Sequence, residues 1–230
     1  AGTEPLGLAV FALRTGFAQG KTGSFMKKTT LGFLAFVVIG INTALWLGLK
    51  SHPGISAENG PMENFQAACL GLGFLIWLVA SFRTKNRAEQ ILLAGLALFY
   101  FSFLILEVDF RKFHAPILNT LFNGRIRDAW LGCLWLGAGI IFYKNANPAW
   151  KEFLDWLKNP CGILIIVSGA HWLASGLIDK SFTARKELYH EELLEVNASL
   201  LMLLSSILFL LRKRENSKAG ENATKNEPQA

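Results

Sequence analysis

Long apolar runs separated by short polar stretches dominate the pattern of this chain. Most runs are close to the roughly 20 residues that a helix needs to cross the hydrocarbon core of a bilayer. They predict six transmembrane helices, over residues 30–49, 64–82, 88–106, 129–143, 161–178 and 192–211. The fourth run is too short for a span unless its helix begins near Gly124. The predicted fold class is therefore all-α, a polytopic membrane helix bundle.

Two shorter segments place apolar residues on one helical face and polar residues on the other. In the segment between the fourth and fifth runs, the apolar positions are Trp150, Phe153, Leu154 and Leu157. Between the third and fourth runs, they are Phe113, Ile117, Leu118 and Leu121. This spacing predicts amphipathic helices that lie flat at the membrane surface.

The pattern divides the chain into three parts. Residues 1–28 form an N-terminal extension or an interfacial segment, because Met26 followed by two lysines and an apolar run looks like a natural start. Residues 29–211 form the six-span domain. Residues 212–230 are polar and rich in Asn, Lys and Glu, which predicts a disordered cytoplasmic tail.

Composition supports the membrane interpretation and argues against nucleic acid as a partner. The chain is 52% hydrophobic and only 17% charged, whereas soluble domains average about 25% charged residues. The net charge of +6 comes from basic residues in short clusters between apolar runs, and no nucleic-acid-binding motif accompanies them. The partners we expect are membrane lipids and other membrane proteins.

The basic clusters also predict an orientation. With six spans both termini lie on one side, and most of the 23 Lys and Arg residues fall on that side. Loops rich in Lys and Arg lie on the cytoplasmic side of membrane proteins. We therefore predict a cell inner-membrane protein with both termini cytoplasmic.

In this orientation the unusual polar residues gather at the periplasmic end of the bundle. Ionisable groups inside a span cost about 2.5–3.5 kcal/mol or more unless they are paired or hydrated. His171 and Glu195 lie inside predicted spans and therefore predict a polar pocket walled by the third to sixth spans. The residues predicted to bind a ligand there are Asp109, Arg127, Asp179, Glu191 and Glu192.

Two kinds of chemistry fit these residues, and the sequence does not decide between them. A divalent metal ion is one candidate cofactor, with His114, His171 and His190 as ligands beside acidic groups, although no HExxH motif is present. A metal-free site would use Glu107 and Glu195 as base or ligand and His171 as proton relay. Arg127 would then bind an anion. A triad of Ser175, His171 and Asp179 is unfavourable, because these residues share one helical face and converge poorly.

The alternative to a functional site is structural. Acidic residues at helix N-termini interact favourably with the helix dipole, so Asp128, Glu191 and Glu192 would then act only as caps. Charges at the ends of spans would mark the membrane interface. This interpretation explains His171 and Glu195 less well.

Three short patches carry a resemblance to a known group of proteins. They are Glu58-Asn59-Gly60-Pro61-Met62-Glu63, Leu106-Glu107-Val108-Asp109 and Glu191-Glu192-Leu193-Leu194-Glu195. In these patches the chain resembles bacterial multi-pass inner-membrane proteins of unassigned activity, and the resemblance implies no reaction. The multi-histidine pattern of ceramidase-like membrane hydrolases is not matched by His114, His171 and His190.

The leading functional hypothesis is an inner-membrane protein with a periplasm-facing acidic and histidine-containing site. That site would bind, or hydrolyse, a small or lipid-like ligand. Two alternatives stay open: a non-catalytic accessory subunit of a larger membrane complex, and a transporter. The sequence leaves open whether the protein is an enzyme.

Overall fold

The computed structural model describes residues 36–44, 47–48, 60–108, 110, 115–181 and 188–225. Contacts divide the chain into two units, Ala1–Val37 and Val38–Ala230. From residue 60 onward, the described residues of the second unit form helices that we number α1 (Pro61–Arg83), α2 (Arg87–Glu107), α3 (Pro116–Phe122), α4 (Gly124–Lys144), α5 (Ala146–Leu157), α6 (Pro160–Ser181) and α7 (Leu188–Lys225). Residues 36–44 are also helical, and no strand occurs in the described ranges. The all-α prediction is confirmed for this part of the chain.

Among the described residues, four helices are long and apolar enough to cross a membrane. They are α1, α2, residues Pro160–Leu177 of α6 and residues His190–Arg214 of α7. These helices match the second, third, fifth and sixth predicted spans and indicate a membrane protein. Much of the first predicted span, 30–49, lies outside the described residues.

The fourth predicted span forms helix α4, which is long enough to cross a membrane but is not among the four helices that are also sufficiently apolar. Its first turns carry Arg125, Arg127 and Asp128, which lower its hydropathy. Leu131 is its one buried residue. Helix α4 is therefore peripheral to the bundle.

Helix α5 packs on the bundle through a face different from its predicted apolar face. Ala149 and Trp156 are its buried residues, whereas Trp150 and Leu154 are 52% and 37% exposed. Two apolar side chains therefore remain available to the surroundings. The other amphipathic segment is helical from Pro116 onward as α3 and has no buried residue.

The centre of the bundle forms where α1, α2 and α7 meet. Tyr100 is fully buried, and its hydroxyl donates a hydrogen bond to the Met202 carbonyl oxygen at 2.6 Å. A Cβ atom added to Gly73 would lie 2.4 Å from Cε1 of that ring, so glycine permits this close approach. Trp77 is also fully buried and packs on Phe209, with 4.8 Å between ring centroids.

Three side-chain hydrogen bonds join α6 to α7 along a seam that we call the serine seam. They are Ser205 Oγ to the Cys161 carbonyl (2.9 Å), Ser168 Oγ to the Ala198 carbonyl (2.9 Å) and Ser175 Oγ to Glu195 Oε1 (2.6 Å). On α6 these positions recur every seventh residue, the repeat that keeps one face of a helix against a partner. Small residues and interhelical hydrogen bonds are the usual means of association between helices in lipid.

The last helix extends further than the sequence predicted. Helix α7 continues to Lys225, whereas the pattern predicted a disordered tail from residue 212. Residues 212–225 include several Lys, Glu and Ala, which favour helix. Extending an existing helix also needs no new nucleus, so a polar sequence can remain helical beyond the apolar run.

Candidate functional site

Four carboxylates from three helices lie together at one end of the bundle. Glu63 is in the first turn of α1, Glu107 ends α2, and Glu192 and Glu195 lie near the start of α7. A short connection makes α1 and α2 antiparallel, so the start of one lies beside the end of the other. We call these four residues the acidic cluster.

The carboxylates of the acidic cluster are close enough to repel one another. The carboxylates of Glu195, Glu192 and Glu63 each repel that of Glu107, and Glu192 is repelled by Glu195, Glu63 and Glu191. Like charges interact more strongly away from bulk water. A group of positive charge would therefore be attracted to this end of the bundle.

Gln66 connects α1 to the cluster and was missed by the sequence analysis. It is fully buried, and its Nε2 donates hydrogen bonds to Glu192 Oε2 at 3.2 Å and to the Glu192 carbonyl oxygen at 3.4 Å. Its Oε1 is buried and has no hydrogen-bond partner among the described residues. An unsatisfied buried acceptor costs about 1–3 kcal/mol. The available signal was an amide side chain near the start of an apolar run.

Glu195 connects the cluster to α6. Its Oε1 accepts the Ser175 hydroxyl proton at 2.6 Å, and its carbonyl oxygen accepts the Ser199 hydroxyl proton at 2.8 Å. Ser175 and Ser199 are both fully buried. The Glu195 carboxylate is therefore held in a fixed position by a buried donor.

His171 lies on α6, one turn before Ser175. Its Nδ1 is 2.8 Å from the carbonyl oxygen of Val167. A carbonyl oxygen can only accept, so Nδ1 carries a proton and, in the neutral ring, Nε2 is left as the acceptor. Because the Ser175 hydroxyl is directed to Glu195, the structure does not show the serine paired with His171.

A pair of asparagines lies next to the cluster, one of them on α7 two residues after Glu195. Asn42 and Asn197 exchange two hydrogen bonds, of 2.7 Å from Asn42 Nδ2 and 3.0 Å from Asn197 Nδ2. Asn197 Nδ2 also donates to the Leu193 carbonyl oxygen at 2.9 Å. Helical residues 38–44 are thus tied to α7 near the site.

The other predicted ligand residues are placed differently. Arg127 forms a 2.9 Å ion pair with its neighbour Asp128, an exposed residue of α4. Glu191 borders the acidic cluster through its repulsion of Glu192.

Three further predicted residues lie wholly or partly outside the described part of the chain. Asp109 and His114 lie outside the described residues. Asp179 is in α6, but its side chain is outside the described part.

Two of the three histidines predicted as metal ligands lie among the described residues. His190 is exposed and His171 is partly buried. Within the described ranges, no three His, Cys, Asp or Glu side chains are arranged to hold a metal ion. The acidic cluster nonetheless offers oxygen atoms, which suit hard cations and ammonium groups.

Comparisons with known proteins return no relative. No protein-family model matches the chain, and no curated protein or solved structure is similar to it.

Proposed function

We propose that this chain is a multi-pass inner-membrane protein that binds a small or lipid-like ligand through a positively charged group. The binding site is the acidic cluster together with Gln66. The observation that carries the proposal is the Gln66 side chain, which is fully buried, bonded to Glu192 and left with an unpaired Oε1. An ammonium group has several N–H donors and would satisfy both this oxygen and the surrounding carboxylates.

The proposed topology has six spans with both termini in the cytoplasm. Four helices have the length and composition of spans. Helix α4 has 21 residues, which at about 1.5 Å per residue covers the roughly 30 Å core of a bilayer. Residues 36–44 supply part of the first span. The excess of Lys and Arg on the side of the termini supports a cytoplasmic location for them, and the acidic cluster then faces the periplasm.

Binding, rather than hydrolysis, is the function that the contacts favour. The Glu195 carboxylate is engaged by the Ser175 hydroxyl, and His171 Nδ1 is engaged by its own helix. The carboxylates of the cluster attract a cation, whereas among the described residues no nucleophile with its base and an anion-stabilising group is assembled around them. Transport is less favoured because the bulky side chains of Trp77, Tyr100 and Met202 fill the centre of the bundle.

Replacing Glu192 with Gln should raise the melting temperature of the ligand-free protein and weaken cation binding at least tenfold. Both effects follow from removing one of the mutually repelling charges. The protein would be purified in an uncharged detergent and its melting temperature followed against ethanolamine, spermidine and MgCl2. Saturable stabilisation by an amine is the expected result for the unchanged protein.

Asp128→Asn is the matched control, because it removes a carboxylate from an exposed position outside the cluster. This variant should leave the melting temperature and the affinity for cations unchanged. Gln66→Leu, which removes the unpaired oxygen, should weaken amine binding while every carboxylate remains. If the melting temperatures of the unchanged protein and of Glu192→Gln rose equally with amine concentration, the proposal would be refuted. If only MgCl2 gave saturable stabilisation, the ligand of the site would be a metal ion and not an ammonium group.

The accessory-subunit alternative is favoured by the apolar side chains that α4 leaves exposed around most of its circumference. The large apolar side chains exposed there include Leu134, Leu136, Ile140 and Ile141. This alternative predicts that the protein migrates with larger partners after mild solubilisation, and that Leu136→Lys releases it. Glu192→Gln would not change that migration.

A further inference from the structure

A second polar site lies at the opposite end of the bundle from the acidic cluster. A cavity of about 310 Å³ is lined there by residues from the start of α2, the end of α5, the connection to α6 and the end of the apolar part of α7. Its volume is within the range of small-ligand pockets, roughly 300–1,000 Å³. Its lining combines charged groups with the apolar side chains of Leu92, Leu93 and Phe209.

The charges in this cavity are only partly paired with one another. Lys213 Nζ lies 3.3 Å from Glu89 Oε1, and Asp155 Oδ1 lies 3.5 Å from Lys158 Nζ. Arg212 and Glu152 also line the cavity, and no ion pair among the described residues includes either of them. The cavity therefore holds one cation, Arg212, and one carboxylate, Glu152, that do not form an ion pair with each other.

Trp156 adds an unused hydrogen-bond donor to this site. The residue lines the cavity and is 6% exposed. Its indole Nε1 is buried and has no acceptor among the described residues. A buried tryptophan N–H usually finds an acceptor, so this wall residue has an unused donor, in addition to the guanidinium of Arg212, which lies beside Cys161.

The position of the cavity relative to the ends of the candidate spans indicates the kind of ligand. The membrane-crossing part of α7 ends at Arg214, that of α2 begins at Arg87, and that of α6 begins at Pro160. Glu89, Cys161 and Arg212 are thus within the terminal turns of three spans, the level at which phospholipid headgroups lie. Lipid headgroups are bound between transmembrane helices by basic pockets at this level.

We propose that this cavity binds the headgroup of a zwitterionic phospholipid, phosphatidylethanolamine. Arg212 binds the phosphate, with the Trp156 indole as a further donor. Glu152 binds the ammonium group, and the acyl chains continue along the apolar side chains below. A phosphate with a free amine matches one unpaired cation and one unpaired carboxylate, whereas a purely anionic headgroup would leave Glu152 opposed to it.

The test is native mass spectrometry of the full chain, purified in mild detergent and incubated with equal amounts of phosphatidylethanolamine and phosphatidylglycerol of identical acyl chains. One phosphatidylethanolamine should remain bound per chain, in at least tenfold preference. Arg212→Gln should reduce its occupancy at least tenfold. Glu152→Gln should remove the preference, so that the two lipids bind equally.

Controls separate this site from its surroundings. Arg214→Gln removes an exposed cation outside the cavity, and Glu192→Gln alters the acidic cluster; both should retain the preference. Retention of phosphatidylethanolamine in Arg212→Gln, or equal binding of both lipids to the unchanged protein, would overturn the proposal. Displacement of the lipid by soluble O-phosphoethanolamine at equal concentration would also overturn it, because the acyl chains would then contribute nothing.

Discussion

Replacing Gly73 with alanine should destabilise the folded protein by about 1–3 kcal/mol, as added atoms in a packed core do. The new Cβ would lie 2.4 and 2.6 Å from two ring carbons of Tyr100 and 3.2 Å from Ser206 Oγ. The ring cannot easily move aside, because its hydroxyl is bonded to the Met202 carbonyl oxygen at 2.6 Å. A lower melting temperature of the purified protein in detergent is the expected observation.

Gly71→Ala is the matched control on the same helix. Its Cβ would make an ordinary contact of 3.8 Å with Leu104. Alanine is favoured over glycine in a helix by up to about 1 kcal/mol, so this variant should melt at the same temperature or higher. If Gly73→Ala and Gly71→Ala had the same melting temperature, the close packing of Tyr100 on α1 would be wrong.

Replacing Trp77 with alanine should lower the free energy of unfolding by about 3 kcal/mol, at the lower end of the range for large aromatic residues in cores. Trp77 is fully buried and lies against Phe209, Tyr100 and Trp156, with centroid separations of 4.8, 6.3 and 6.4 Å. Lipid solvates apolar groups about as well as the protein does. The loss is therefore mainly of packing contacts around the new cavity.

Trp150→Ala provides the comparison, because Trp150 is 52% exposed on α5. Its replacement should cost less than about 1 kcal/mol, as most exposed positions do. Unfolding monitored by circular dichroism during titration with a denaturing detergent would rank the two variants. A loss for Trp150→Ala as large as that for Trp77→Ala would show that α5, not the α1–α2–α7 centre, dominates stability.

The four candidate spans could be predicted from sequence because each is a long apolar run bounded by recognisable signals. The start of α6 is an example: Asn159 Oδ1 accepts from the backbone nitrogens of Cys161 and Gly162, as the Asn-Pro pair suggested. Helix α4 was less predictable because its charged first turns interrupt the apolar pattern. The continuation of α7 to Lys225 does not follow from hydropathy, because hydropathy measures preference for lipid and not helix propensity.

The candidate site was predictable only in outline. Alternating helix direction places Glu107, Glu192 and Glu195 at the same end of a bundle, and the structure brings these three together. The partnerships of Gln66 with Glu192 and of Ser175 with Glu195 depend on the rotation and register of packed helices. No local pattern in one chain specifies those quantities, because they result from side-chain packing between segments far apart in sequence.

The serine seam has a mechanical consequence for any motion of the protein. Sliding α6 along α7 by one residue, a shift of about 1.5 Å, would misalign all three hydroxyl bonds at once. Shear between these two helices is therefore resisted along their whole shared length, and the pair should move as one rigid body. Opening of the acidic end to admit a ligand is then left to a tilt of α1 and α2 away from this pair. Tyr100 and Gly73, where α1 and α2 press together, would lie near the fulcrum of that tilt.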